Sequence, residues 1–390
     1  MARRTLLGAI ALASAVTLTA AACGSSDDGS SSDGKKTITI GFQGVLSGDN
    51  QQLGINALYG VETAIAEANS DANLPFKVKL VQSDDGGSPD QGPTAAQKII
   101  DNSDVLAVVG PMFSGATKAS EPLYSQAGLL SVSPSATNPA LTTLGFKTFY
   151  RVIAPDTVQG TADADYIATV LKAKKVFSLD DKSDYGTGLS AALEKELKAK
   201  GVTVVHDGIN PTKNYTSEAT KIISESPDVL FYSGYYAELA LLSRALHDKG
   251  FKGVTISGDG SLDGKYVEQA GTAAAEGTYL TCPCSDANSD PAAAAFVESY
   301  KKINGGARPG TYSGEAYDAT NAIIQVLKGL GDNVSRQSVA SAFGKVEHKG
   351  VTKLVKFQPN GEVEGANDFI YQVKGGQITV LGNTVDLIKS

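Results

Sequence analysis

The chain has 390 residues, with 34 Lys and Arg against 42 Asp and Glu, a net charge of -8 at pH 7 and a pI near 5.1. An acidic balance with no basic stripe gives nucleic acid no footing, so no nucleic-acid partner is expected. Only three Cys and three His are present, too scattered to gather a metal centre, and neither metal nor cofactor is expected.

Residues 1–22 carry Arg3 and Arg4, then an apolar run too short to cross a bilayer, then Ala20-Ala21-Ala22. This is the layout of an export signal. Cys23 follows at once, and Thr19-Ala20-Ala21-Ala22-Cys23 resembles a bacterial lipobox, whose cysteine carries a diacylglycerol thioether; the usual Leu is Ala20 here. The stretch 24–36 holds no apolar residue and reads as a tether leading from a lipid anchor on the outer face of the cytoplasmic membrane. Roughly 350 residues remain, more than one core usually supports, which predicts two domains.

From residue 37 onward, short β-branched runs alternate with amphipathic segments. The spacing predicts strands at 37–42, 77–81, 105–109 and 129–133, with helices at 54–69, 89–101 and 116–127. In the first helix Leu58, Val61, Ile65 and Ala68 recur at intervals of three and four, the face that packs on a sheet. A second series follows, with helices at 158–171, 189–200, 217–224 and 239–249 and strands at 176–179, 202–205, 229–232 and 254–257. Helices return at 292–302, 316–330 and 335–343, before strands at 353–357, 369–373 and 378–381. Two βα series predict an α/β fold of two doubly wound parallel-sheet lobes. Ligands of such sheets bind outside the carboxyl ends of strands, here the loops after Val109, Ser133, Leu179, Tyr232 and Ser257.

Those loops carry an ordered set of motifs: Gly41-Phe42-Gln43-Gly44-Val45-Leu46-Ser47-Gly48, Asp84-Asp85, Gly110-Pro111-Met112-Phe113-Ser114-Gly115-Ala116-Thr117, Ser133-Pro134-Ser135-Ala136-Thr137-Asn138-Pro139, Asp184-Tyr185-Gly186 and Gly258-Asp259-Gly260. Each alone is weak, since Asp-Gly and Asn-Pro mark turns everywhere. Together they resemble the leucine/isoleucine/valine-binding protein family over nearly all of the chain beyond the tether. The resemblance implies the type I periplasmic-binding fold, with lobes joined by a three-stranded hinge, here 37–153 with 283–356 and 154–282 with 357–390. The crossings are expected near 153–155, 281–283 and 357–359. It also implies a monomeric, non-catalytic receptor that closes on an amino acid of the Leu/Ile/Val class and delivers it to an ABC permease and ATPase complex.

An α-amino acid brings a carboxylate and an ammonium, each costly to bury unpaired. Ser114, where a strand gives way to a helix, can meet the carboxylate with hydroxyl and backbone N–H, and the loop Ser135-Ala136-Thr137 is expected to do likewise. The resemblance adds a carbonyl and a hydroxyl of that loop for the ammonium. Asp259, from the other lobe, is the expected counter-charge, and Tyr185 and Tyr235 the flat walls. Phe113, Leu53 and Tyr312 would bound the side-chain pocket. Relatives often present an aromatic where Leu53 stands, and a cysteine at Phe113.

Plainer readings accompany these. Ser114 and Thr137 could be caps or turn residues, Asp259 an ordinary Asp-Gly turn, Tyr185 a packed loop residue, and Tyr236 competes with Tyr235. Cys282 and Cys284 could close a disulfide ring across one residue or remain thiols. A surface sensor for small amides or amino acids uses the same fold. A hydrolase lacks support, for Gly-x-Ser-x-Gly and His-Glu-x-x-His are absent and His206, His247 and His348 have neither triad nor metal spacing.

Overall fold

The computed structural model describes residues 34–365 and 367–389. The expected export signal, Cys23 and the tether up to residue 33 lie outside the described residues. Lys35 and Lys36 already belong to the folded body: β1 starts at Lys36, and the Lys35 ammonium donates to the carbonyls of Ala72 and Leu74.

Strands β1 (Lys36–Gly44), β2 (Phe76–Asp84), β3 (Val105–Val109), β4 (Leu130–Ser133) and β5 (Phe149–Arg151) form a parallel sheet in the order β2-β1-β3-β4-β5. Helices α1 (Gln51–Ser70), α2 (Gly92–Ile100) and α3 (Ser114–Gln126) connect them. The chain then crosses to the second lobe, running α4 (Asp156–Thr169), β6 (Lys175–Asp180), α5 (Asp184–Ala199), β7 (Thr203–Gly208), α6 (Thr216–Glu225), β8 (Val229–Ser233), α7 (Tyr236–Asp248), β9 (Val254–Ser257), α8 (Gly264–Ala270), α9 (Thr272–Ala275) and β10 (Tyr279–Cys282). A second crossing returns it to the first lobe for α10 (Ala294–Ile303), α11 (Ser313–Leu330), α12 (Arg336–Phe343) and the short pair β11 (His348–Lys349) and β12 (Leu354–Val355). A third leads to β13 (Phe369–Lys374), β14 (Gln377–Asn383) and α13 (Thr384–Lys389). The second sheet has the order β14-β13-β10-β9-β8-β6-β7, with β13 and β14 antiparallel.

Central strands are apolar throughout because helices cover both faces. In β8, Val229 and Phe231 join the cluster beneath α4 and α5, while Leu230 and Tyr232 join the one beneath α6 to α8, the period of two that a pleated strand imposes. Several helices begin earlier than their apolar spacing indicates. Helix α5 starts at Asp184 rather than near 189, since the Ser183 hydroxyl caps it by accepting from the Gly186 N–H at 2.9 Å. The glycines at 186 and 188 read as loop in the sequence, yet they sit in the helix where Asp181 and Asn138 press too close for a side chain. Strands β5 and β10 and helices α8, α9 and α13 escaped the sequence reading, being short or flanked by glycine.

Candidate functional site

The loops after β3 and β4 are sewn together by serines. The Ser133 hydroxyl donates to the Pro111 carbonyl (2.6 Å) and accepts from the Ala136 N–H (3.0 Å), and the Ser135 hydroxyl donates to the Met112 carbonyl (2.8 Å). Ser114 is the first residue of α3 rather than its cap; Phe113 holds the cap position without a side-chain cap bond. The Ser114 hydroxyl accepts from the Asn138 N–H at 3.2 Å. Thr137 is fully buried and its hydroxyl makes no hydrogen bond of normal geometry, although it stands near enough to Asp156 to hold that carboxyl down somewhat.

The second lobe contributes a carboxylate. Asp259, 1% exposed, follows β9, and its two oxygens accept from the Tyr185 hydroxyl (2.7 Å) and the Tyr312 hydroxyl (2.6 Å). Tyr185 lies in the first turn of α5, and its hydroxyl also accepts from the Gly260 N–H at 3.1 Å. Tyr312 precedes α11 in the first lobe with a φ of 69°, a left-handed conformation that a tyrosine adopts only under constraint. One bond to Asp259 thus comes from each lobe. Burial raises the Asp259 carboxyl above its ordinary value, and the two tyrosine donors pull the other way.

Phe113, Ser114, Ser135, Tyr185, Tyr235 and Tyr312 converge with Asp259 around one small cavity. Met112 and Gly260 complete it, and neither was anticipated. Tyr235, not Tyr236, faces this cavity: its ring stacks on Phe113 across the lobe boundary, centroids 4.2 Å apart and planes 18° apart. The Tyr236 hydroxyl instead accepts from the Gln52 N–H. Ala136 and Thr137 are buried but do not line the cavity, and Leu53 lies wholly within the core cluster of Val45 and Phe113. A wider, open groove of about 930 Å³ runs elsewhere along the lobe boundary, past Asp263, Glu268, Asp286, Arg308 and Tyr371. Segments past β9 and β10 line it too, but none of Ser114, Ser135, Tyr185, Tyr235 or Asp259 does, and the small cavity, where the loops after β3, β4, β6, β8 and β9 meet, is the better candidate.

Two buried polar sets support the site. The Arg151 guanidinium pairs with Glu362 and donates to the carbonyls of Ala136 (2.9 Å) and Asn138 (2.8 Å). On α4, Asp156, Gln159 and Asp163 recur on one face. Gln159 donates to the Thr281 hydroxyl (2.9 Å), and that hydroxyl donates to Asp163 (3.1 Å). Burial raises the carboxyls of Asp156, Asp163 and Asp368, and neighbouring acids raise them further. Cys282 and Cys284 are joined by a disulfide at the second crossing. Among the described residues, no three His, Cys, Asp or Glu side chains gather as metal ligands.

Two lobes with three crossings, meeting over a buried carboxylate at strand ends, define a binding protein of the type I periplasmic fold. The chain belongs to the periplasmic binding protein family, whose profile matches residues 37–377. It is 34% identical over 346 residues to the Leu/Ile/Val-binding protein BraC3 of Rhizobium johnstonii, covering 87% of this chain and 93% of that protein. Among solved structures it is similar to the leucine-binding protein LivK of Thermotoga maritima, with a TM-score of 0.82, 27% identity, and 89% and 98% of the two chains covered. It is also similar to LivJ of Streptococcus pneumoniae in complex with isoleucine, with a TM-score of 0.81, 25% identity, and 89% and 100% covered. Family and fold are those of extracytoplasmic substrate-binding proteins, which implies export.

Proposed function

We propose that the protein is the lipid-anchored, non-catalytic and monomeric receptor of an ABC importer, closing on an α-amino acid of the branched-chain class and handing it to the permease. Cys23 carries the anchor. Asp259 neutralises the ligand ammonium, with Tyr185 and Tyr235 as walls, while Ser114 and Ser135 take its carboxylate, and Ala136 and Thr137 support that loop from behind the cavity wall. The observation that carries this reading is Asp259 itself: a carboxylate 1% exposed, held by hydroxyls from both lobes and facing a cradle of serines. A buried carboxylate beside a cavity is costly unless a cation joins it. The relatives' binding of leucine, isoleucine and valine supports the class of side chain.

Calorimetric titration of the purified exported protein with the common amino acids tests this. At least one binds, and Asp259→Asn weakens it 10- to 100-fold, since a charge-assisted hydrogen bond contributes roughly 1.5–3 kcal/mol. Unchanged affinity in Asp259→Asn would remove Asp259 as the counter-charge.

A further inference from the structure

We propose that Phe113 sets the length of the ligand side chain, so that the site prefers compact α-amino acids, alanine to valine, over leucine and isoleucine. This rests on the α-amino-acid part of the reading above and replaces its branched-chain part with a limit on side-chain length. The Phe113 ring comes from the first lobe and the Tyr235 ring from the second, and their stack at 4.2 Å closes the cavity between them. The Phe113 ring has no room to withdraw. Behind Phe113 lies Gly87, with φ of 71°, where a β-carbon would stand 2.6 Å from the ring. Beside Tyr235 on the cavity wall stand the Tyr185 ring, at 5.3 Å, and Gly260, where a β-carbon would approach Tyr235 to 3.1 Å and Tyr185 to 2.8 Å. A third wall, Tyr312, is fixed by its hydrogen bond to Asp259.

The open space among these walls is about 180 Å³, part of it continuous with solvent. Water centres can range over only about 10 Å³ of it, the room of about one water molecule. A ligand therefore holds the lobes somewhat further apart than they stand here, and each added methylene holds them further still. Because Phe113 is backed by main chain at Gly87, that extra separation is taken from the Phe113–Tyr235 stack and the Tyr312–Asp259 bond. Leu53 does not relieve the crowding, since it is packed in the core and does not line the cavity. Affinity then falls as the side chain lengthens, and the residue that enforces the limit is the one whose truncation opens space directly on the ligand.

The test is calorimetry with glycine, alanine, valine, isoleucine and leucine on the wild-type protein, Phe113→Ala and Phe113→Val. Wild type is expected to bind the best of alanine and valine at least tenfold more tightly than leucine, and truncation to reverse the preference toward leucine by at least tenfold, the scale of a methylene in an apolar pocket. Phe113→Val keeps an apolar group against Gly87 and Val45 and carries the comparison if the alanine variant does not fold. Leucine bound by wild type as tightly as valine, or a leucine-to-valine ratio that does not move on truncation, overturns the size limit and leaves the amino-acid reading standing. Failure of wild type to bind any of the five overturns both.

Discussion

Arg151 is the largest fully buried side chain in the described residues, and its bonds reach the ligand loop without touching the cavity. It occupies the carbonyls of Ala136 and Asn138, while the Thr137 carbonyl accepts from the Asp156 N–H. Those bonds fix the loop's carbonyls from behind, while the Ser133 and Ser114 hydroxyls hold the N–H groups of Ala136 and Asn138. Arg151→Met strands Glu362 as a buried charge and is expected to cost about 3–5 kcal/mol of stability, read as a fall in Tm, together with at least tenfold in amino-acid affinity. Adding Glu362→Leu removes the stranded charge and should restore much of the Tm while affinity stays low, because the loop carbonyls remain untethered. If affinity returns along with Tm, Arg151 serves stability alone. Much of the candidate cavity was readable from one sequence: Ser114, Ser135, Tyr185, Tyr235 and Asp259 each line it and stand just past a strand end, where sheet geometry gathers loops. Arg151 was not, even though a charge inside Phe149-Tyr150-Arg151-Val152-Ile153 is a signal, because its partner lies 211 residues away.

Among the elements, apolar spacing located the long helices, and their caps corrected the starts. Helix α7 begins at Tyr236 and α11 at Ser313, each three residues before its first apolar repeat, which puts the expected wall residues Tyr235 and Tyr312 at the N-cap positions, on the cavity. Polar residues hidden inside a helix are less legible. Glu121 in α3 is wholly buried beneath the sheet, and its Oε1 accepts from the Ser131 hydroxyl at 2.7 Å. Burial pushes this carboxyl up to about 8, and that of Asp181, ahead of α5, to about 7. Folded Glu121 keeps a proton that the unfolded chain releases above about pH 4.5. Its contribution is therefore present in full at low pH and is lost as pH climbs through the folded value, at about 1.4 kcal/mol per pH unit inside that window. Glu121→Gln, neutral at every pH, should match wild type in Tm near pH 4.5 and exceed it near pH 8.5. Parallel Tm curves for the two proteins across that range would mean that Glu121 is not held protonated.

For the molecule as a whole, the lobes meet through a limited set of polar contacts beside the Phe113–Tyr235 stack. At the crossings, α4, β10 and the approach to β13 are joined through Gln159, Thr281, Asp163 and Asp368, where buried acids favour their neutral forms. Across the cleft mouth, Lys118 pairs with Asp184 at 2.7 Å, and Asn56 donates to Asp263 at 2.9 Å. Asn50 donates to Glu238 (3.0 Å) and accepts from the Ala237 N–H (3.2 Å), gripping the start of α7. The Lys118–Asp184 pair is exposed and of a kind that contributes roughly 0–1 kcal/mol, while the Asn56–Asp263 bond is buried and the Asn50–Glu238 bond partly so, and both add to the Tyr312–Asp259 bond and the Phe113–Tyr235 stack. A ligand that bridges Asp259 and the serine cradle can then shift the balance through its different affinity for the two forms. Small-angle scattering should record a smaller radius of gyration once a bound amino acid is added. Asn50 does not line the cavity, so Asn50→Ala leaves the ligand's own partners intact and weakens only the closed form, by about 1 kcal/mol, or roughly fivefold in affinity. The loss should appear in the dissociation rate, since the grip forms after docking. Wild-type affinity and dissociation rate in Asn50→Ala, or a radius of gyration indifferent to bound ligand, would mean that closure of the lobes is no part of binding.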